Sequence, residues 1–479
     1  MHLKTILNRV QNFKSFVYGR VSWVEDTSEP TIEAELRPRA NGRARCSGCG
    51  RRRPGYDTLP VRRFEFIPMW GIKVFFVYAP RRVNCRHCGI RVERMPWAAG
   101  KHQLTETYAW FLAGWAKRLS WKEVAEAFRT AWDHVFSSVE MAVAWGPAHQ
   151  DLSGIEAIGV DEIAWRRGHR YLTLVYQIDA DCRRLLWIGR ERKAKTLLRF
   201  FRWLGKDRSN ELRYICSDMR KPYLKVIAKK AGQAIHILDR FHIMANLSKA
   251  IDQVRAEEAR QLKREGYEPV LTNSRWLLLK RPENLTAKQE PRLAELLRYN
   301  LKTVRSYLLK EEFQLFWSYK SPYWAGQFLD RWRARTMRSQ IGPMKKMARQ
   351  LRRHRPLLLN WFRAKGQFSS GIVEGFNNKA KLTTRKSYGF RTYHAAETAL
   401  YHALGALPVP KTNSLEPRAY LLHILERIGA ADTVEKLEVL PPWNVDLPRF
   451  EKKCAGLSQG QVGRFNAAYH LFSEKSLQA

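Results

Sequence analysis

Chemistry in this sequence concentrates in a few acids and thiols. Asp161 ends a short apolar run within residues 157–179, AIGVDEIAWRRGHRYLTLVYQID. That stretch reads as an antiparallel hairpin: an apolar strand, a basic turn at Arg166-Arg167-Gly168-His169, and a returning β-rich run over 171–178. A carboxylate in a strand buried on both faces is unfavourable unless a cation meets it, so Asp161 is a candidate metal ligand. Asp218 follows another strand signal, 212–217, and Glu374 lies on a helical stretch. There Glu374, Asn377, Asn378 and Lys381 recur at i, i+3, i+4 and i+7 and share one face. Asp161, Asp218 and Glu374 form an oxygen-only donor set suited to two Mg²⁺ or Mn²⁺ ions. Such a pair generates a nucleophilic oxygen and stabilises a leaving 3′ oxygen in phosphoryl transfer on DNA. In this reading Asp161 bridges the ions, Asp218 ligates one and Glu374 the other. Asp239, in Leu238-Asp239-Arg240-Phe241-His242, also ends a strand and is the alternative to Asp218. His242 would orient Asp239 or a phosphate; the plainer reading is a helix-capping Asp and a packed His. Glu162 should point to the opposite sheet face from Asp161.

The thiols make a second pattern. Cys46-Ser-Gly-Cys49-Gly50 and Cys85-Arg-His-Cys88-Gly89 are two knuckles whose four thiolates would close on one structural zinc ion. Two β-like runs, 63–68 and 73–80, lie between them, and the whole reads as a zinc ribbon stapling a small β domain. Cys182, Cys216 and Cys454 are isolated, which is the arithmetic of a metal site in a reducing compartment and not of a disulfide framework.

The elements that must position these groups follow in order. Residues 104–119, 121–129 and about 133–145 read as three helices, with Ser120 and Glu123 forming a capping box, an arrangement similar to a helix-turn-helix. Strand signals at 155–163, 171–178 and 184–189 are followed by helix 194–204, strand 212–217, helix 222–231 and strand 234–238. The order β-β-β-α-β-α-β is the ribonuclease-H-like plan, which brings the ends of its first and fourth strands side by side. Helical patterns at 243–266, 291–307, 319–333, 343–353 and 357–364 form an all-α insertion before the chain returns to the Glu374 helix. The expected organisation is therefore multidomain α/β. A zinc ribbon spans 1–100, a helix-turn-helix segment 101–150, and the first part of a ribonuclease-H-like core, a mixed sheet, 151–242. The insertion covers 243–365, the last core helix 366–404, and a C-terminal extension 405–479 opens on Leu407-Pro408-Val409-Pro410.

Charge points to the partner. Lys and Arg number 85 against 45 Asp and Glu, a net +40 spread through a chain that is 45% hydrophobic. A polyanion, nucleic acid first, is the natural partner of so basic a globular chain. No apolar run approaches transmembrane length and the N-terminus lacks a signal-peptide pattern, so no membrane role is expected. Asn377, Asn378, Lys381, Arg385, Lys386 and Arg391 form a polar and basic run suited to DNA contact.

Together these motifs carry a resemblance. The twin CxxCG knuckles, Gly159-Val160-Asp161-Glu162, Ser217-Asp218-Met219, Asp239-Arg240-Phe241-His242, Val373-Glu374-Gly375-Phe376-Asn377-Asn378-Lys379 and Lys386-Ser387-Tyr388-Gly389-Phe390-Arg391 resemble a bacterial insertion-sequence transposase of the ISL-three type, over roughly residues 40–404. The resemblance implies a DDE catalytic core with an α-helical insertion before the Glu, cutting at the terminal inverted repeats of its own element, and strand transfer into target DNA. The Asp239-x-x-His242 pair matches a motif that accompanies the DDE acids in several such families. It also implies a cytoplasmic, nucleoid-associated bacterial protein that acts on double-stranded DNA as a homodimer or larger assembly. A catalytically inactive or domesticated sequence-specific DNA-binding regulator and a ribonuclease-H-like nuclease stand as alternatives.

Overall fold

The structure, a computed structural model, describes residues 3–410 apart from 26, 70, 167, 367–369 and 388. The readings made for Arg167, Tyr388 and everything beyond residue 410 lie outside the described residues. The chain divides into two compact units, one of Met1–Gln150 joined by Glu397–Ala403, the other of Asp151–Ala396.

The second unit is built on a five-stranded mixed sheet. In spatial order its strands are Arg183–Arg190, Arg170–Ile178, Ala157–Arg166, Tyr214–Ser217 and Ile235–Leu238. The first three run antiparallel to one another, and the last two lie parallel to Ala157–Arg166. Gly168 and His169 take positive φ, +81° and +58°, where the chain reverses between the first two strands in sequence. Strand alternation sends Val160 and its neighbour Val175 to one face, where they pack against Leu197, Phe200, Leu204, Tyr223 and Ile227. Those side chains come from the helices Ala194–Leu204 and Lys221–Lys230, the crossovers that make parallel pairing possible.

Among its described residues the insertion holds helices and no strand: Arg240–Arg264, Arg275–Leu279, Gln289–Leu296, Lys302–Gln314, Pro322–Arg338, Gly342–Arg353 and Arg355–Arg363, with two short 3₁₀ turns. Its own core gathers Ile243, Leu247, Ile251, Phe313, Phe316, Trp332, Met344 and Leu358. The pattern over 291–307 is not one helix, because Leu301 is extended (φ −93°, ψ 149°) and a new helix starts at Lys302. The Glu258 carboxylate accepts the Lys302 and Thr303 N–H groups at 2.8 Å each, so a distant acid caps a start that no local residue announces.

In the first unit the runs near 63–68 and 73–80 do pair, as Arg62–Met69 and Ile72–Tyr78. They belong, however, to a four-stranded sheet with Phe16–Trp23 and Thr31–Pro38. The cysteine knuckles belong to a separate three-stranded sheet of Gly55–Thr58, Arg81–Cys85 and Gly89–Val92. Buried Glu93 ties the two sheets, accepting from the Tyr78 hydroxyl, the Arg81 N–H at 2.9 Å and the Arg81 guanidinium at 2.7 Å. Helices Glu106–Trp115, Trp121–Ala127 and Trp132–Ala148 follow, and both bonds of the Ser120–Glu123 capping box form, at 2.6 and 3.2 Å.

Candidate active site

Strand register explains why distant acids meet. Val160 pairs with Ser217, and Ser217 pairs with Leu238. The next residues, Asp161, Asp218 and Asp239, therefore stand level on three adjacent parallel strands. Asp218 and Asp239 lie just past the carboxyl ends of their strands, where open α/β sheets bind ligands, and Asp161 lies level with them inside the longer Ala157–Arg166 strand. The Ser217 hydroxyl and His236 Nε2, 2.7 Å apart and buried, link the two strands just below.

Asp161, Asp239 and His242 each offer one atom within 4.8 Å of the others, a spacing that can hold a metal ion. Asp161 Oδ1 accepts its neighbour Glu162 N–H at 2.7 Å and lies 3.5 Å from His242 Nε2. Asp239 Oδ1 caps the Arg240–Arg264 helix by accepting from Phe241 and His242 N–H, which leaves Oδ2 directed at His242 Nε2, 3.7 Å away. The plain capping role and the site role thus coexist in one carboxylate. Contact with Asp161, then the fields of Asp161, Asp239 and Asp218, raises His242 to about 9 against the effect of burial. Asp218 lies beside this group, but its carboxylate is held by Arg220, by Nε at 2.8 Å and by the backbone N–H at 3.0 Å. Burial raises the Asp218 carboxyl above its ordinary range, and Arg220 opposes that.

Glu162 faces the other side of the sheet, opposite Thr173, whose hydroxyl meets Tyr223 Oη at 2.8 Å. Its side chain is only 6% exposed and lies 3.1 Å from Arg220 Nη1, with Arg192 at 4.0 Å. Among the described residues neither carboxylate oxygen finds an aligned hydrogen bond, so the contact with Arg220 is ionic. Arg220 is the shared counter-ion of Asp218 and Glu162. Arg220→Ala is expected to cost about 1–3 kcal/mol, since a buried carboxylate loses its nearest cation. The 41% exposure of Arg220 and the remaining Arg192 keep the loss below that of a fully buried pair. Adding Glu162→Gln should recover most of it, as read by urea denaturation.

The helix Ser370–Lys386 covers the Asp161 face. Val373 packs so closely on Gly159 that a Cβ there would stand 2.4 Å from Val373 Cγ2. Phe376 stacks on Tyr176 at 4.8 Å. Asn377 donates to Asp161 Oδ2 at 2.5 Å and accepts from Tyr176 Oη at 3.0 Å. Glu374, one turn earlier, is exposed and does not join the 4.8 Å group of possible metal donors. Of the residues read as DNA contacts, Asn378, Lys381, Arg385, Lys386 and Arg391 are exposed, whereas Asn377 is 5% exposed.

In the first unit Cys46, Cys49, Cys85 and Cys88 place four sulfur atoms within 4.8 Å of one another. The Cys49–Cys85 separation is 3.6 Å, close to the edge of about 3.8 Å for a tetrahedron with zinc–sulfur arms of about 2.3 Å. The Arg53 guanidinium approaches Cys85 Sγ at 3.3 Å.

Sequence comparison supplies the deciding observation. Residues 158–400 match the ISL3 family of DDE transposases, described as "Transposase". The chain belongs to this family. It is 30% identical over 391 residues to the transposase for insertion sequence element IS1001 of Bordetella parapertussis, covering 81% of this chain and 95% of that one. It is 31% identical over 392 residues to the transposase for insertion sequence element IS1557 of Mycobacterium tuberculosis (strain CDC 1551 / Oshkosh), covering 76% and 86%. This transposase has no helix among its described residues long and apolar enough to cross a membrane. Its site includes two groups that reading the sequence missed, Tyr176 and Arg220. Tyr176 had a signal, for it pairs with Gly159, and a glycine inside a strand marks a close approach of something else. Arg220 had none, because one arginine among 85 basic residues carries no pattern.

Proposed function

We propose that this transposase binds the terminal inverted repeats of its own insertion sequence and catalyses divalent-metal-dependent cleavage and strand transfer of DNA. The core is read as ribonuclease-H-like, with Asp161, Asp218 and Glu374 as its acids and Asp239 with His242 in support. The observation that carries this reading is the level row of Asp161, Asp218 and Asp239 on three adjacent strands, over which the Glu374 helix is docked. The donors fit Mg²⁺ or Mn²⁺: carboxylate oxygens dominate, Asp161, Asp239 and His242 offer atoms within 4.8 Å of one another, and the nearby imidazole suits Mn²⁺ as well. Two such ions, when bound, supply the charge that activates the attacking oxygen and steadies the leaving one.

The chain's own residues do the rest. Asp161, on the central strand, would hold the cations together with Asp218 and Glu374. Arg220, which pairs with Asp218 and Glu162, places a guanidinium beside these acids that would suit a DNA phosphate. Exposed Asn378, Lys381, Arg385, Lys386 and Arg391 extend from the acids as a phosphate track. The zinc ribbon and the three helices of the first unit are read as the reader of the terminal repeats, with structural zinc at the four cysteines. Synapsis of two element ends calls for a homodimer or larger assembly on DNA, in the bacterial nucleoid.

The test is cleavage of terminal-repeat DNA by purified protein. Cutting should require Mg²⁺ or Mn²⁺ and fall at least ~100-fold in Glu374→Gln. Undiminished cutting by that variant would remove Glu374 from the site, and binding without cleavage in any divalent metal would favour a regulator.

A further inference from the structure

Asn377 looks from the sequence like one more polar group on a DNA-facing helix, yet its surroundings are those of a clamp. It is 5% exposed, and both ends of its amide are engaged: Nδ2 donates to Asp161 Oδ2 at 2.5 Å, and Oδ1 accepts from Tyr176 Oη at 3.0 Å. These bonds fix which amide end faces Asp161, because the tyrosine hydroxyl donates and the carboxylate only accepts. Tyr176 is itself fully buried and stacked on Phe376 at 4.8 Å, the residue just before Asn377. Asp161 Oδ1 is meanwhile held by the Glu162 N–H at 2.7 Å, so the two oxygens are pinned from opposite sides. The carboxylate plane of Asp161 is therefore set jointly by its own strand and by the helix that carries Glu374.

We infer that Asn377, backed by Tyr176, is a positioning residue for divalent-cation binding: it orients Asp161 and locks the register of the Glu374 helix against it, and it does not contact DNA. Hydrogen bonds to a ligating carboxylate fix its direction before the ion arrives. Losing such a partner typically weakens metal affinity by about 10–100-fold. The inference rests on the proposed role of Asp161 as a metal ligand.

The experiment titrates Mn²⁺ into the full-length, DNA-free protein by electron paramagnetic resonance and, separately, measures terminal-repeat DNA binding in EDTA. Asn377→Leu keeps the side-chain outline and removes both bonds. It should weaken Mn²⁺ binding about 10–100-fold, leave DNA affinity in EDTA within about twofold, and recover cleavage in part as metal is raised. Tyr176→Phe keeps the ring stack and removes one hydroxyl; it should shift the Mn²⁺ midpoint in the same direction by less. It carries the test if Asn377→Leu fails to fold. Asp161→Asn is the control. If it binds Mn²⁺ and cuts like the parent, the reading of the acids has failed. If it loses both while Asn377→Leu and Tyr176→Phe titrate like the parent, the inference about Asn377 has failed and the reading stands. A roughly tenfold loss of DNA affinity in EDTA with unchanged Mn²⁺ binding would make Asn377 a DNA contact and overturn the inference.

Discussion

Asp161→Asn is expected to lower strand cleavage of terminal-repeat DNA by on the order of 10³-fold or more, equivalent to about 4 kcal/mol of lost charge stabilisation. The substitution is nearly isosteric. The introduced side chain still offers a carbonyl oxygen to the Asn377 amide, and the strand pairing of the preceding Val160 with Ser217 is untouched. What disappears is the negative charge that the central strand of the sheet contributes to the row formed with Asp218 and Asp239. DNA binding at constant salt should hold or rise slightly, because an acid that repels phosphate has been removed. Asp218→Asn and Asp239→Asn separate the two candidates for the second ligand. Asp218→Asn should cut activity as deeply as Asp161→Asn, whereas Asp239→Asn should retain more, since an asparagine still caps the Arg240–Arg264 helix. The readout is single-turnover cleavage, with a filter-binding control for each variant.

Gly159→Ala should be nearly as damaging to activity although it lies outside the acids. A methyl at Gly159 would meet Val373 Cγ2 at 2.4 Å and Ile178 Cγ2 at 3.5 Å. Gly159 lies in a strand paired on both sides, to Cys216 and to Tyr176, so the helix must give way. A shift of the Ser370–Lys386 helix by even ~1 Å would displace Glu374 and loosen the Asn377 bond to Asp161, a misplacement worth about 10²-fold in rate. Over-packing of this kind costs about 1–3 kcal/mol of stability, so the variant should remain folded. Val373→Ala removes the methyl that clashes. The double variant Gly159→Ala/Val373→Ala should regain most of the cleavage rate, which a general loss of stability would not allow. Cleavage kinetics and thermal unfolding on the same preparations decide the point.

The legible parts of this molecule were those whose information is local. Strand periodicity marks Asp161 within one strand and Asp218 just after another, and Ser120 with Glu123 announces a helix start within a single turn. The CxxC spacing brings together four thiols that the fold indeed gathers within 4.8 Å. The illegible parts depend on partners far away in the chain. The helix break before Lys302 is held by Glu258, 44 residues earlier. The fate of Asn377 turns on Asp161, 216 residues away, and on a tyrosine hydroxyl. On helical spacing Asn377 belongs with Glu374 and Lys381, yet it sits at the border of the inward-facing arc made by Val373, Phe376 and Ala380. A polar residue on such a border is assigned to water or to the interior by what the sheet offers it. The knuckle sheet escaped for a different reason: its strands are short and largely exposed, with little hydrophobic alternation to detect.

The central claim is that acids scattered along the chain converge on divalent cations. It is tested most directly by anomalous diffraction from crystals of this transposase on terminal-repeat DNA, grown with Mn²⁺. The account predicts manganese signal at Asp161 shared with Asp218 or Asp239, and further signal toward Glu374. A complex that cuts its DNA with no manganese at any of these acids would contradict it.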